Sequence, residues 1–195
     1  MLASKPLIRA GLIVLLCSGT AAAGELEDLA ASARSLISEF SQHLQSELRD
    51  AIATGGLEKA IEVCKLRAPA IAAAAARDGW NIGRTSLKVR NPANQPDDFE
   101  RRVLEDFEQK VADGRSIESL GYYQINAVGE LSEFRYMKAI GTGEMCLGCH
   151  GESISAPVAR RLDELYPEDA ARGYSVGQLR GAFTLTRHRT LPIDE

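Results

Sequence analysis

Apolar residues recur at three- and four-residue steps through Leu26, Leu29, Ala33, Leu36, Phe40, Leu44 and Leu48. That spacing predicts a long helix over residues 25–54, ended by Thr54-Gly55-Gly56. A second stripe, Leu57, Ile61, Cys64, Ala68 and Ile71, predicts a helix over 57–78 closed by Gly79. Pro69 lies inside it, where it is expected to kink the helix and free the carbonyl of Lys65. The period then drops to two. Gly83, Thr85, Leu87 and Val89 alternate with Arg84, Ser86, Lys88 and Arg90, which predicts a strand over 82–90 with a cationic face. Residues 91–96 read as a loop, and Asp97 or Asp98 caps a third helix that runs to Ala112 and stops at Asp113-Gly114. Strand patterns follow over 121–128 and 131–140, with Gly129-Glu130 as a hairpin turn. A short helix over 156–165, with Pro157 in its first turn, and a strand over 179–188 complete the chain. Helices first and a mainly antiparallel sheet afterwards define the α+β class.

The first 23 residues break this pattern. Lys5 and Arg9 precede a short apolar run centred on residues 12–16, and Ala21 and Ala23 make an A-x-A site before Gly24. These are the parts of a cleaved secretory signal peptide, and the run is too short for a stable membrane span. The expected mature chain is a single domain over residues 24–195 in the periplasm, where disulfides persist. The whole chain has a formal charge of -4 and only 6% aromatic residues. Neither a general phosphate-binding surface nor a stacking platform for nucleic acid fits those values.

Loss of the signal removes Cys17 and leaves Cys64, Cys146 and Cys149, an odd number for an oxidising compartment. Two of them lie in Cys146-Leu147-Gly148-Cys149-His150, the CxxCH signature of c-type haem attachment. The thiols form thioethers with the two haem vinyl groups, and the adjacent histidine is held as proximal ligand of the iron. Gly148 and Gly151 keep the backbone slim beside the macrocycle. A thioredoxin-like site would need a βαβ pattern, and zinc would need a second ligand pair at regular spacing. A structural disulfide would not require His150.

Attachment consumes Cys146 and Cys149, so Cys64 stands alone. It is either a small buried hydrophobe on its helix stripe or a thiolate ligand on the far side of the iron. Met137, His43 and His188 are the other candidates for that position, while Met145 is too near the motif to cross. Arg84, Lys88 and Arg90, on one face of the predicted strand, are candidates for the haem propionates, since guanidinium groups pair well with carboxylates. Arg180 and Tyr122 or Tyr123 are further candidates for the same role.

Four blocks, IEVCKLRAPAIA, WNIGRTSLKVRNPANQPDDFE, CLGCHG and YPEDAARGYSVGQLRGAF, resemble a single-haem c-type sensor family with a PAS-like fold, long known only as a domain of unknown function. The resemblance runs over about residues 30–188. It implies a PAS-like sheet carrying one covalently attached haem c, with His150 as proximal and Cys64 as distal ligand. Such an iron is six-coordinate, so the expectation is a redox or small-ligand sensor in which reduction or a diatomic gas displaces Cys64. A sensor of this kind calls for a separate redox partner protein. The alternative is a periplasmic monohaem electron-transfer cytochrome, favoured by ligation through Met137. No acid–base constellation beyond the iron points to an enzyme.

Overall fold

A computed structural model describes residues 18–128 and 131–190. Residues 1–17 of the expected 1–23 signal segment and the Gly129-Glu130 turn lie outside the described residues, and residues 18–23 open the first helix. Helix α1 (Ser18–Ala75) comes first, followed by strand β1 (Trp80–Thr85) and helix α2 (Asp98–Ala112). Strands β2 (Gly121–Val128) and β3 (Leu131–Gly141) precede a short helix α3 (Leu147–His150), helix α4 (Ala156–Leu165) and strand β4 (Leu179–Thr190). The four strands form one antiparallel sheet in the order β1-β4-β3-β2. The α+β class and the order of elements agree with the sequence pattern.

Helix α1 is two arms broken at Gly55 and Gly56, the two residues of the helix with non-helical φ/ψ angles. Gly56 has φ +74° and ψ -170°, a conformation that is essentially restricted to glycine. The arms fold back on one another. Arg67 pairs with Glu47 and Arg77 with Glu39, so the contacts step in opposite directions along the chain. The second arm stays helical through Pro69, so the break occurs at the glycine pair rather than at the proline.

The two faces of the sheet have separate cores. On one, α1 packs Leu36, Phe40 and Ile71 against Trp80, Ile82, Phe134, Tyr136 and Leu185. On the other, α2 packs Phe99, Val103, Leu104 and Phe107 against Met137, Ala139 and Ala182. Helix α2 starts at a capping box. The Asp97 side chain accepts from the Glu100 N–H at 2.8 Å, and the Glu100 carboxylate accepts from the Asp97 N–H at 3.1 Å.

Strand β1 departs from its pattern at both ends, beginning at Trp80 and stopping at Thr85 instead of running from 82 to 90. Ser86 accounts for the stop. Its hydroxyl donates to the carbonyl of Arg180 at 2.8 Å and accepts from the Lys88 N–H at 3.3 Å, a side-chain turn that takes the chain out of the sheet. Beside it, Gly181 has φ +156°, and a Cβ there would lie 2.4 Å from the Thr85 carbonyl oxygen. The β3–β4 register also shifts at this point, between Ile140 and Gly141.

Candidate functional site

Helix α4 brings the CLGCH segment to the second arm of α1. Its Val158 and Leu162 pack with Tyr166 against Ile61, and Leu57 and Cys149 border the same cluster. Two polar links reinforce the contact. Lys65 Nζ donates to the Leu165 carbonyl at 2.7 Å, and Arg161 pairs with Glu62. Gly148 faces Leu57 so closely that a Cβ would lie 2.9 Å from Leu57 Cδ1. Ile61 and Cys64 are three residues apart on one helix face, so this packing carries Cys64 to the attachment motif. Burial raises the pKa of the Cys149 thiol; Arg90 opposes the shift, and Cys64 and Cys146 add to it, which places all three sulfurs in one electrostatic neighbourhood.

Cys64 is half-buried among cations. Burial pushes its thiol pKa up, while Arg84, Arg90 and Arg180 pull it down. Burial in turn lowers the pKa of the Arg84 and Arg180 guanidinium groups. The Arg84 guanidinium makes no hydrogen bond or ion pair with another described residue, while its backbone pairs with Phe183 in the sheet. Arg180 donates through Nη1 to Ser86 Oγ at 3.1 Å, but its buried Nε has no partner among the described residues. The Tyr166 hydroxyl is pushed up to about 12 by burial, with Cys64 acting in the same direction.

His150 is held from one side. Its Nδ1 lies 2.7 Å from the carbonyl oxygen of Ala171, so that nitrogen carries the proton and Nε2 keeps its lone pair. Arg90 Nη1 sits 3.4 Å from Nε2. Burial brings the imidazole pKa down to about 3, with Arg180 and Arg90 pushing the same way, so the ring is neutral. Backbone bonds fasten the motif to the segment before β4. The Tyr174 N–H donates to the His150 carbonyl at 2.9 Å, and the Gly173 N–H donates to the Gly151 carbonyl at 3.1 Å.

The predicted cationic strand face does not exist as one surface. Arg84 remains on β1, on the same side as Trp80 and Ile82 and therefore on the α1 side. Lys88 lies beyond the strand, donates to the Arg172 carbonyl at 2.7 Å and covers the Tyr174 ring at 4.6 Å. Arg90 is bound into the loops. Its Nε meets Asp169 at 3.0 Å, and its Nη2 reaches the carbonyls of Cys149 at 2.5 Å and Ala171 at 3.2 Å. The Ser86 turn separates these two residues from Arg84.

The other candidates are scattered. Met137 is fully buried in the α2-side core, on the opposite face of the sheet from Arg84. His43 is exposed on the first arm of α1 beside Glu47, and His188 is exposed beside Glu133. Tyr122 and Tyr123 are exposed on β2, the sheet edge farthest from β1. Tyr166, Asp169 and Tyr174 join the site without having been assigned a role from sequence. A local signal existed for Asp169, whose carboxylate accepts from the N–H of Ala171 two residues on, as in an Asx turn.

A family model described as Tll0287-like matches residues 21–187. Among solved structures, the chain is similar to one described as the crystal structure of the cyanobacterial heme-protein Tll0287. The two are 25% identical with a TM-score of 0.54, over 88% of this chain and 97% of that one. No curated protein matches the chain. The family match spans the four motif blocks on which the sequence resemblance rests. The chain belongs to the Tll0287-like family.

Proposed function

We propose that this protein is a haem-binding redox or small-ligand sensor, exported to the periplasm and without enzymatic activity of its own. The observation that carries the reading is the convergence of Cys64, from the second arm of α1, with Cys146, Cys149 and His150 in one arginine-lined cluster. The solved relative described as a heme-protein supports haem as the ligand.

The residues fit haem c. Cys146 and Cys149 would tether it, and His150 Nε2 and Cys64 Sγ would ligate the iron. The unpartnered Arg180 Nε and the free guanidinium of Arg84 suit its two carboxylates. Arg90 and Lys88, expected from sequence in that role, have their donors committed to the surrounding loops. Bound haem supplies a one-electron iron centre that also takes a small ligand once a protein ligand leaves.

Cys64 is the ligand placed to leave. His150 follows a tethering cysteine directly and is held by Ala171, whereas Cys64 rides on an arm joined to the rest of α1 through Gly55-Gly56. A ligand change at Cys64 therefore biases the position of that arm, a local event with a wider structural readout. Placement of Met137 in the opposite core favours this reading over the electron carrier.

The test is the optical spectrum of the purified holoprotein, ferric and dithionite-reduced, for wild type and Cys64→Ala. A ferric low-spin thiolate signature that the variant loses, with carbon monoxide binding to the ferrous protein, is the expected result. Identical spectra in the two proteins would remove Cys64 from the ligand set and return the electron carrier to first place. Absence of covalently bound haem from the wild type would overturn the reading altogether.

A further inference from the structure

Asp169 is an enclosed carboxylate at the site, with its side chain 1% exposed. It accepts three hydrogen bonds: from Arg90 Nε at 3.0 Å, from Arg172 Nε at 2.8 Å and from the Ala171 N–H at 2.9 Å. Two of these lead to one residue, Ala171. The Ala171 carbonyl oxygen receives Arg90 Nη2 at 3.2 Å and His150 Nδ1 at 2.7 Å. Asp169 thus grips Ala171, the residue whose carbonyl orients the imidazole, at its N–H directly and at its carbonyl through Arg90.

We propose that Asp169 is a positioning residue that aims His150 at its ligand, acting through Arg90 and the backbone of Ala171. The proposal rests on the reading of His150 as an iron ligand. A carboxylate is costly to bury unless paired, and this one is paired twice while its remaining bond locks the loop. Its charge also offsets that of Arg90, whose Nη1 stands 3.4 Å from the ligating nitrogen. A firm Nδ1–H bond to a fixed acceptor holds the tautomer and ring plane and makes Nε2 a stronger donor. Asp163, which pairs with Arg172 at 2.6 Å, extends the chain of alternating charges to the surface but does not touch the loop peptide.

The experiment compares holoprotein of the wild type, Asp169→Asn and Asp169→Glu, measuring retention of covalent haem and the reduction midpoint by spectroelectrochemistry. Loss of the negative charge and of a firm Nδ1–H bond both favour the ferrous state. At the wild-type midpoint, Asp169→Asn is expected to raise the ferrous-to-ferric ratio about tenfold, the low end for outer-shell partners and equivalent to about 59 mV. Asp169→Glu, which keeps the charge, recovers most of that shift. Retained covalent haem with an unchanged midpoint in Asp169→Asn overturns the proposal and leaves the haem reading standing. A shift in Asp169→Glu as large as in Asp169→Asn overturns it as well, and a wild type without haem overturns both readings. If Asp169→Asn does not accumulate, Arg90→Lys replaces it. That variant keeps the charge but drops the bonds to the Cys149 and Ala171 carbonyls, so an upward shift is expected and an unchanged midpoint overturns the proposal.

Discussion

The two faces of the sheet carry the two sulfur atoms that compete, on sequence grounds, for the same role. Met137 on the α2 face is enclosed by Phe99, Leu104, Phe107 and other apolar side chains. Cys64 on the α1 face lies among Arg84, Arg90 and Arg180. A thioether in a dry core contributes through packing, and the thiol of Cys64 has guanidinium neighbours that oppose the upward push of burial on its pKa. The chemistry of each position follows from the helix that covers it. Helix α2 is a single amphipathic segment whose apolar residues pack directly on its face. Helix α1 turns back at Gly55-Gly56, and its second arm, which carries Cys64, packs against α4 and the CLGCH segment.

That contrast is open to test in order of expected effect. Met137→Ala removes a fully buried side chain from the closed face and should cost about 2–5 kcal/mol in chemical denaturation. The visible spectrum should be unchanged; a lost or shifted Soret band would place Met137 in the site and erase the distinction between the faces. Gly56→Ala forces a side chain into a backbone region that is essentially glycine-only, at about 1–3 kcal/mol. Because this turn carries the arm of Cys64, the variant should also perturb the ferric spectrum, unlike Met137→Ala. A stability loss with an intact spectrum would show that the arm is held by α4 alone.

The smallest effect concerns the cap of α2. Asp97→Ala should cost about 0.5–2 kcal/mol at neutral pH and leave the spectrum alone. Burial acts to raise the Asp97 carboxyl pKa, but the bonds from Glu100 and Arg135 outweigh it and hold the group below the usual carboxylate range. A depressed folded-state pKa means that the stabilisation is complete above the unfolded value of 3.8 and is lost as pH falls through the folded one. The gap between wild type and variant, followed by denaturation across pH, should therefore narrow in acid. A gap that stays constant down to the acid transition would remove the charge of Asp97 from the account.

Most of the elements were legible because each rests on a local pattern. The cap at Asp97 or Asp98, which the fold assigns to Asp97, the glycine pair after Thr54 and Pro157 at the start of α4 appear in sequence as they do in the fold. The end of β1 was not legible. Leu87 and Val89 continue the alternation, and the chain leaves the sheet because Ser86 bonds Arg180, 94 residues away. The single strand face expected for Arg84, Lys88 and Arg90 is divided for the same reason. Arg84 and Arg90 share a parity in sequence, but Arg180 replaces Lys88 as the third cation beside Cys64. Asp169 carried only its Asx-turn signal, and nothing local tells that its carboxylate is enclosed.

By itself the sequence determined the α+β order of elements, the glycine break in α1 and the CLGCH motif, since each depends on residues a few positions apart. It also isolated Cys64 by counting. Tertiary structure decided which sulfur faces the motif, which arginines surround it and what steadies His150. Those outcomes depend on the fold-back of α1, on sheet parity and on the meeting of β1 with β4, where residues distant in the chain come within a hydrogen bond of each other. Distances of that kind are set by packing, and no spacing along the chain encodes them.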